Sequence, residues 1–340
     1  MANRKDVAKK ANVSATVVSR VMSNSGYVSK EKREAVLSAA EALNYRPNPV
    51  ARSLQTGQTR QILFYRGHLS SAYYLELHRG MMDYAEKSGY LVCISGNLHI
   101  ERIDDMMMDG LILPSEAYVG PEYLRYLRKY RMPYVVIGYG EYIPKNVYSV
   151  TVDTGRVMRE LVSYLRKKGH RRIAFVNGDD NRLKGPRIAV FRTLMDEFYR
   201  DRLDEYTLNI AGVSGEIPPD EFYRIGRDAA EQFEQRKLDA SAVICFNDDV
   251  AVGFYHRIAQ LGYRIPKDLS VTGIDGLTLG EYMNPALTSM NINPFEHGRK
   301  CAEVILNMLR GEKPEYRYCI DFSLVERESV RTLRVKGKKT

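Results

Sequence analysis

Polar side chains suited to nucleic-acid chemistry cluster near the N-terminus. Arg20 carries a guanidinium group, which can donate two hydrogen bonds to O6 and N7 of guanine. Thr16 can bond to a base or contact a thymine methyl group. Four neighbouring polar side chains can donate hydrogen bonds to phosphate oxygens, and such contacts position a protein on DNA. They are Ser14, Ser19, Asn24 and Tyr45. The alternative is that Arg20 contacts no base and only binds phosphate or remains solvated.

Catalytic chemistry finds little support in the sequence. It holds no P-loop, HExxH, GxSxG or GxGxxG motif, and its six histidines are scattered. The four cysteines are far apart and form no CxxC pair, which favours buried, reduced thiols over a zinc site or a disulfide framework; they are Cys93, Cys245, Cys301 and Cys319. We therefore expect no enzymatic activity, no metal and no cofactor.

The positive charge is concentrated at the two ends of the chain. Of a formal net charge of +9, residues 1–57 carry +6, and residues 331–340 add five basic residues without an acid. The stretch between them carries −2. A basic segment on a nearly neutral protein is typical of a nucleic-acid binder.

Three short helices should hold the polar cluster in place. The first lies in KDVAKKANV and ends at Asn12, and the second is ATVVSRVM, capped by Ser14. After a turn at Gly26, Ser29 should cap a third helix from about Lys30 to Leu43. Two helices joined by a tight turn let the second enter the major groove. We predict a helix-turn-helix DNA-binding domain over residues 1–47.

A short fourth helix is predicted in a hinge over residues 48–58. Asn48 is a good N-cap, Pro49 suits the first helical position, and VARSLQT makes two turns before Gly57. A helix of this length is unstable alone because nucleation costs more than so few hydrogen bonds return. We expect it to need a partner.

Residues 59–340 should form an α/β domain of two lobes. Strand-like runs such as QILFY, GLILP, RIAFVNG and LSVTGID alternate with amphipathic helical stretches. This alternation indicates parallel sheets covered on both faces. Because about 280 residues are too many for one such sheet, we predict two doubly wound lobes with a cleft between them.

Two long segments resemble the LacI/GalR family of bacterial repressors. The first is DVAKKANVSATVVSRVMSNSGYVSKEKREAVLSAAEALNYRPNPVARSL, and the second is FNDDVAVGFYHRIAQLGYRIPKDLSVTGIDGLTLGEYMNPALTS. The resemblance covers over nine-tenths of the chain. It implies a helix-turn-helix domain with a hinge helix, followed by a two-lobed effector domain like the periplasmic sugar-binding proteins.

The resemblance also implies a second DNA-reading element in the hinge. Leu54 matches a leucine that the family wedges into the minor groove, where two hinge helices sit together. Ala51 would permit close approach of those helices, and Arg52 would reach phosphate. Ala15 and Asn48 complete the expected DNA-contacting set. The alternative for Leu54 is packing within its own domain.

For the cleft, the resemblance implies a small effector, often a sugar or its derivative. Arg187, Asn247 and Asp275 match the family's effector-binding residues, and Tyr73 and Tyr74 stand where cleft aromatics often lie. Asp248 follows Asn247 and is open to a structural role instead. The segment GNLHIERIDDMMMDGLIL is shorter than in the family, and Val17 replaces the usual Thr.

These features predict a bacterial transcription regulator that acts as a repressor. One short recognition helix covers half of a near-palindromic operator, so we expect a homodimer. No apolar run approaches a membrane span, and MANRKDVAKKANVS has no signal-peptide h-region, so a cytoplasmic location is expected. The alternatives are a cytosolic sugar-binding protein or a sugar-metabolising enzyme without operator function.

Overall fold

The computed structural model describes residues 2–65, 71–96, 106–114, 125–127, 129–139, 143–177, 186–199, 202–209 and 220–333. Two compact units divide the chain: the head, Met1–Arg60, and the body, Gln61–Thr340. Within the described ranges, no helix has the length and apolar character to cross a membrane.

The head consists of four helices. They are α1 (Arg4–Lys10), α2 (Ala15–Met22), α3 (Lys30–Ala42) and α4 (Pro49–Thr56). The first three pack around a small core, in which Val7, Val18 and Val36 are fully buried. Asn12 adopts a left-handed conformation, with φ of 52°, after the end of α1. The predicted three-helix arrangement is confirmed.

Ser14 and Ser29 precede α2 and α3 but act differently. The Ser14 hydroxyl accepts a hydrogen bond from Val17 N at 3.3 Å and caps α2 as predicted. The Ser29 side chain accepts no such bond, so its predicted capping role was wrong. The helix start is stabilised there only by the backbone, where Arg33 N donates to Ser29 O at 3.0 Å.

Two six-stranded sheets form the body, as the alternating pattern predicted. The first has the order β11-β5-β4-β3-β1-β2, and all of its paired strands are parallel. Its strands are β1 (Gln61–Tyr65), β2 (Leu91–Ser95), β3 (Gly110–Pro114), β4 (Tyr134–Tyr139), β5 (Ser149–Val152) and β11 (Arg317–Cys319).

The second sheet has the order β12-β10-β9-β8-β6-β7. Its strands are β6 (Ile173–Asn177), β7 (Thr207–Asn209), β8 (Ala242–Cys245), β9 (Ser270–Asp275), β10 (Thr288–Asn291) and β12 (Ser323–Val325). The edge strand β12 runs antiparallel to β10, so this sheet is not wholly parallel.

Helices cover both sheets. They are α5 (Ala72–Lys87), α6 (Thr154–Lys167), α7 (Pro186–Tyr199), α8 (Glu221–Gln235), α9 (Asp248–Gln260) and α10 (Pro294–Leu309). Helices α5 and α10 pack together in the first lobe, and α8 and α9 do so in the second. The chain passes between the lobes after β5, after β10 and after β11.

The cysteines are all free, but only Cys245 and Cys301 are buried. Cys93 and Cys319 are exposed, so the expectation of four buried thiols was wrong for these two. Both lie on edge strands, β2 and β11, where one side of the strand has no neighbour. Among the described residues, no cluster of His, Cys, Asp or Glu could hold a metal ion.

Candidate functional site

Helix α2 presents the polar surface that the sequence predicted. Val18 and Val21 are buried and anchor the helix on the core of the head. Thr16 and Arg20 are exposed on the same helix, and the smaller Ala15 and Ser19 are half-buried beside them. The helix therefore buries one apolar face and offers its polar groups outward.

The turn after α2 orients two of the predicted DNA-contacting side chains. A Cβ atom added to Gly26 would lie 3.5 Å from Arg20 Cδ, so the aliphatic part of Arg20 lies over this glycine. Asn24 has a left-handed backbone, with φ of 49°, and its Oδ1 accepts a hydrogen bond from Arg33 at 3.0 Å. Asn24 Nδ2 has no such bond within the described part of the head.

Tyrosines flank this surface on the following segments. Tyr45, predicted to contact phosphate, packs partly against the core of the head. Tyr27 was missed by the sequence analysis, yet 90% of it is exposed beside the turn. Its position between Gly26 of the turn and the start of α3 could have indicated that its side chain is exposed beside α2.

Helix α4 forms in the predicted place. Asn48 Oδ1 accepts hydrogen bonds from Val50 N at 2.9 Å and Ala51 N at 3.4 Å, and Gly57 ends the helix in a left-handed conformation. Leu54 is 81% exposed, which excludes the alternative of packing within the head. Ala51 and Arg52 are exposed too.

In the body, predicted effector residues meet at the carboxyl ends of three neighbouring strands. Asp275 ends β9, Asn247 follows β8, and Arg187 lies at the start of α7, the helix after β6. In the sheet these strands are adjacent, in the order β9-β8-β6. Ligands of open α/β sheets bind at carboxyl ends of strands, where backbone and side-chain groups converge.

The guanidinium group of Arg187 is held on the β8 side of this site. It donates a hydrogen bond to Phe246 O at 2.6 Å, and its Cζ lies 4.4 Å from the centroid of the Phe246 ring. Arg187 is only 4% exposed. Its charge acts to lower the pKa of Asp275 and so opposes the effect of burial on that carboxyl group.

Asp275 lies in strained backbone at the end of β9, with φ of 132°. It is 4% exposed, and burial is the main reason that its pKa is raised well above the usual value. Gly276 follows with φ of 73°, and an added Cβ would clash with the backbone of Asn291. The turn thus needs a glycine directly after the carboxylate.

Asp248 has a structural role, one of the two possibilities left open by the sequence. Its oxygens accept hydrogen bonds from Ser289 Oγ at 2.6 Å and Leu277 N at 2.7 Å, and so tie α9 to β10 and the turn after β9. Burial raises its pKa to about 6, although these two bonds oppose the shift. Gly273 makes the arrangement possible because a Cβ there would overlap Asp248 Oδ1.

The neighbours of Asp248 differ in their roles. Asn247 is 6% exposed and caps α9, since its Oδ1 accepts from Val250 N at 2.8 Å. Asp249 was missed by the sequence analysis; it is 1% exposed, and Tyr223 donates to its Oδ1 at 3.4 Å. The Ser71 hydroxyl, from the first lobe, lowers its pKa, but burial raises it more.

Tyr73 and Tyr74 lie on the first lobe, in the first turn of α5. Their rings are perpendicular, with centroids 5.2 Å apart. Tyr73 is buried and Tyr74 half-buried. Ser71, which caps this helix, lies next to Asp249 of the second lobe. The start of α5 is thus brought to the acidic end of α9. The shortened segment lies largely at 97–105, outside the described residues.

Comparisons with known proteins agree with this architecture. Residues 4–48 match the model of bacterial regulatory proteins of the lacI family, and residues 162–330 match a periplasmic binding protein-like domain. The chain is 31% identical to the transcriptional repressor PurR of Salmonella paratyphi B, over 97% of each chain. It is 30% identical to the transcriptional regulator RegA of Clostridium acetobutylicum, over 96% of this chain and 99% of the relative.

Solved structures share the fold across both units. A lac repressor dimer bound to operator and the anti-inducer ONPF matches with a TM-score of 0.79 at 21% identity, over 97% of this chain and 99% of that one. A complex of the regulator CelR with cellobiose matches with a TM-score of 0.68 at 24% identity, over 97% and 100%. The chain belongs to the lacI family of bacterial regulatory proteins. It is a DNA-binding transcriptional regulator and not an enzyme.

Proposed function

We propose that this regulator is a repressor that binds a near-palindromic operator as a homodimer and responds to a small effector in the cleft of the body. The observation that supports the proposal is that one chain has both a helix with exposed Thr16 and Arg20 and a buried pair of polar residues, Arg187 and Asp275, at the carboxyl edge of a parallel sheet. A DNA surface and a ligand site on separate units are what an effector-controlled regulator requires.

In the head, α2 enters the major groove and Arg20 reads a guanine. Ala15 and Thr16 lie at the groove-facing start of the helix. Phosphate contacts come from Ser14, Ser19, Asn24 and Tyr45, to which we add the exposed Tyr27. These contacts position the head, whereas Arg20 and Thr16 provide the sequence preference.

Helix α4 is the second DNA-reading element and the switch. Its eight residues are too few for a stable isolated helix, so it becomes firmly ordered only when paired with α4 of the partner on operator DNA. Ala51 allows the close approach, Asn48 caps the helix and Arg52 reaches phosphate. The exposed Leu54 wedges between base pairs in the minor groove.

The body supplies apolar surface for the dimer. Leu75 on α5 and Leu91 on the edge strand β2 are 55% and 57% exposed, and α5 packs beside β2. In the second lobe, Tyr282 is 81% exposed. We assign these exposed apolar side chains to the interface between the two subunits.

The effector is a sugar or a sugar derivative. CelR was solved with cellobiose, and a lacI-family regulator of Enterococcus faecium with ribose. In this chain, Arg187, Asn247 and Asp275 bind the ligand from the second lobe, and Tyr73 and Tyr74 contact it from the first. Its binding shifts the lobes and thereby orders or melts α4. The regulator acts in the cytoplasm, where the operator is.

The test begins with selection of operator sites from random DNA by the full chain, read by gel shift. We expect a near-palindrome, whose affinity then changes in the presence of a sugar that binds the body. The matched variants are Arg187→Ala, which should abolish the sugar response, and Arg172→Ala, an exposed arginine paired with Asp239 on the same lobe, which should not. Selection of no palindromic site would refute the proposal.

A further inference from the structure

We propose that the second lobe carries a sequence-independent binding surface for a segment of DNA other than the one read by the head. The surface consists of three exposed basic side chains, Lys167, Arg171 and Lys267, which we call the amino-end surface. It belongs neither to the candidate ligand site nor to the head, so it goes beyond the function proposed above.

The fold brings these side chains to one edge of the second sheet. Arg171 precedes β6 and Lys267 precedes β9, and both strands run parallel to β8 between them. Helix α6 leads from the first lobe at Thr154 to this edge at Lys167, roughly 20 Å away along its axis. The head joins the first lobe at Gln61. The surface thus lies at the amino ends of the strands, and the candidate ligand site lies at their carboxyl ends.

The carboxyl-terminal segment connects the turns that carry the surface. Strand β12 runs antiparallel to β10, so the chain leaves it at the same edge. Leu333 N donates to Lys168 O at 2.7 Å, and His170 Nε2 donates to Arg331 O at 2.9 Å. The guanidinium group of Arg331 donates to Lys267 O. The turn before β6 and the turn before β9 are therefore held together through residues 331–333.

Positive charge is in excess at this edge. Residues 167–172, 237–241, 264–270 and 326–333 contain nine basic and four acidic residues, although residues 58–330 as a whole carry −2. Three of the acids are already paired with basic neighbours: Glu326 with Lys168, Asp239 with Arg172 and Asp268 with Arg264. Among the described residues, no carboxylate lies within ion-pair distance of the amino-end surface.

The undescribed residues of the second lobe do not offset this excess. They are 178–185, 200–201, 210–219 and 334–340, and together they carry a net charge of +3. The stretch 334–340 directly follows Leu333 in the sequence and contains four basic residues and no acidic one. The surface therefore attracts anions.

The composition of the surface favours DNA over a protein partner. A protein interface needs apolar or aromatic side chains at its centre. In the four segments at this edge, no large apolar side chain of the described structure is exposed. A phosphate backbone requires only accessible cations. Lys167 also stabilises the carboxyl end of α6, but Arg171 and Lys267 lie outside helices and have no such role. DNA is the polyanion that this regulator already binds.

The test is capture of a second duplex by the full chain. The selected operator duplex is fixed to beads in excess over the protein, so that the heads are occupied, and a fluorescent duplex of unrelated sequence is added. We expect capture with a dissociation constant of about 10⁻⁴–10⁻⁶ M at physiological salt, the range of non-specific binding. Capture should weaken steeply as salt is raised, because bound phosphates release counterions.

A triple variant locates the capture on the amino-end surface. The changes Lys167→Gln, Arg171→Gln and Lys267→Gln together should weaken capture at least about tenfold. They should also reduce the slope of log affinity against log salt by about 2–3, since each phosphate contact contributes about 0.9. Operator affinity and melting temperature should not change, because these side chains are exposed and lie outside the head.

A matched control removes the same charge elsewhere. The changes Lys129→Gln, Lys145→Gln and Lys313→Gln affect exposed lysines of the first lobe, and this variant should capture the second duplex like the parent. No capture by the parent, or equal capture by the two triple variants, would overturn the inference. Tighter binding of poly-glutamate than of the duplex would also overturn it and would assign the surface to an acidic protein. Since operator binding is measured in the same assay, these outcomes leave the proposed repressor function intact.

Discussion

Replacement of Gly273 by alanine should destabilise the second lobe more than its single added methyl group suggests. Gly273 lies within β9, and a Cβ there would stand well inside 3.0 Å of Asp248 Oδ1 and at 3.0 Å from Leu287 Cδ2. The buried Asp248 carboxylate must then move away from Ser289 Oγ and Leu277 N.

The size of the effect follows from these two hydrogen bonds. A hydrogen bond to a charged group contributes about 1.5–3 kcal/mol, and a buried donor left without a partner costs a similar amount. We therefore expect the free energy of unfolding of the body to fall by about 3–5 kcal/mol. For a domain of this size that corresponds to a melting temperature lowered by roughly 6–20 °C.

The assay is thermal unfolding followed by circular dichroism at pH 8, where Asp248 is ionised because its pKa is about 6. The matched control is Gly155→Ala in α6, where the nearest atom to the new Cβ is Val190 Cγ2 at 3.3 Å. The control should change stability by less than about 1 kcal/mol, since alanine favours a helix. A Gly273→Ala protein that melts within 2 °C of the parent (about 1 kcal/mol or less) would refute the reasoning.

Three further predictions concern DNA binding and acid stability. Leu54→Ala should lower operator affinity at least about tenfold without changing the melting temperature, because Leu54 is 81% exposed; equal affinity in a filter-binding assay would exclude the wedge. Arg20→Ala should cost about 1–3 kcal/mol on operator and less on random DNA; equal losses would make Arg20 a phosphate contact. His297 is fully buried, its Nε2 donates to Val150 O, and burial lowers its pKa to about 4. Because the unfolded chain binds this proton first, the histidine destabilises the fold by up to about 3 kcal/mol as pH falls from 6.5 to 4. Between pH 6.5 and 4, the free energy of unfolding of His297→Gln, measured by urea titration, should therefore fall less than that of the parent. Equal decreases in the two proteins would contradict a lowered pKa for His297.

The elements predicted well are those specified by local patterns. In the head, each of the three helices has its own apolar positions at helical spacing, and Val7, Val18 and Val36, one from each helix, are fully buried. Apolar runs likewise predicted β1, β3, β6 and β9. The strands that were missed, such as β5 (Ser149–Val152) and β7 (Thr207–Asn209), are four residues or fewer and contain polar residues. Such short segments become strands only because their neighbours pair with them.

Part of the candidate ligand site could be predicted, because the family resemblance identified its residue types. Asp275 ends β9 and Asn247 follows the neighbouring strand β8, so both lie at the same edge of one sheet. The function of Asp248 could not be predicted, because its partners are 29 and 41 residues away. The requirement for Gly273 depends on the same packing.

The sequence by itself determined the basic head, its capped helices, the short α4 and the alternation that builds two lobes, since each depends on residues close together in the chain. Only the tertiary structure decided which acidic side chains near the carboxyl ends of β8 and β9 are buried. Asp249 sits in an ordinary acidic helix start, and nothing local distinguishes it from a solvated residue. Burial between α8, α9 and the start of α5 raises its pKa, because desolvation and hydrogen-bonding neighbours arise only when distant segments pack.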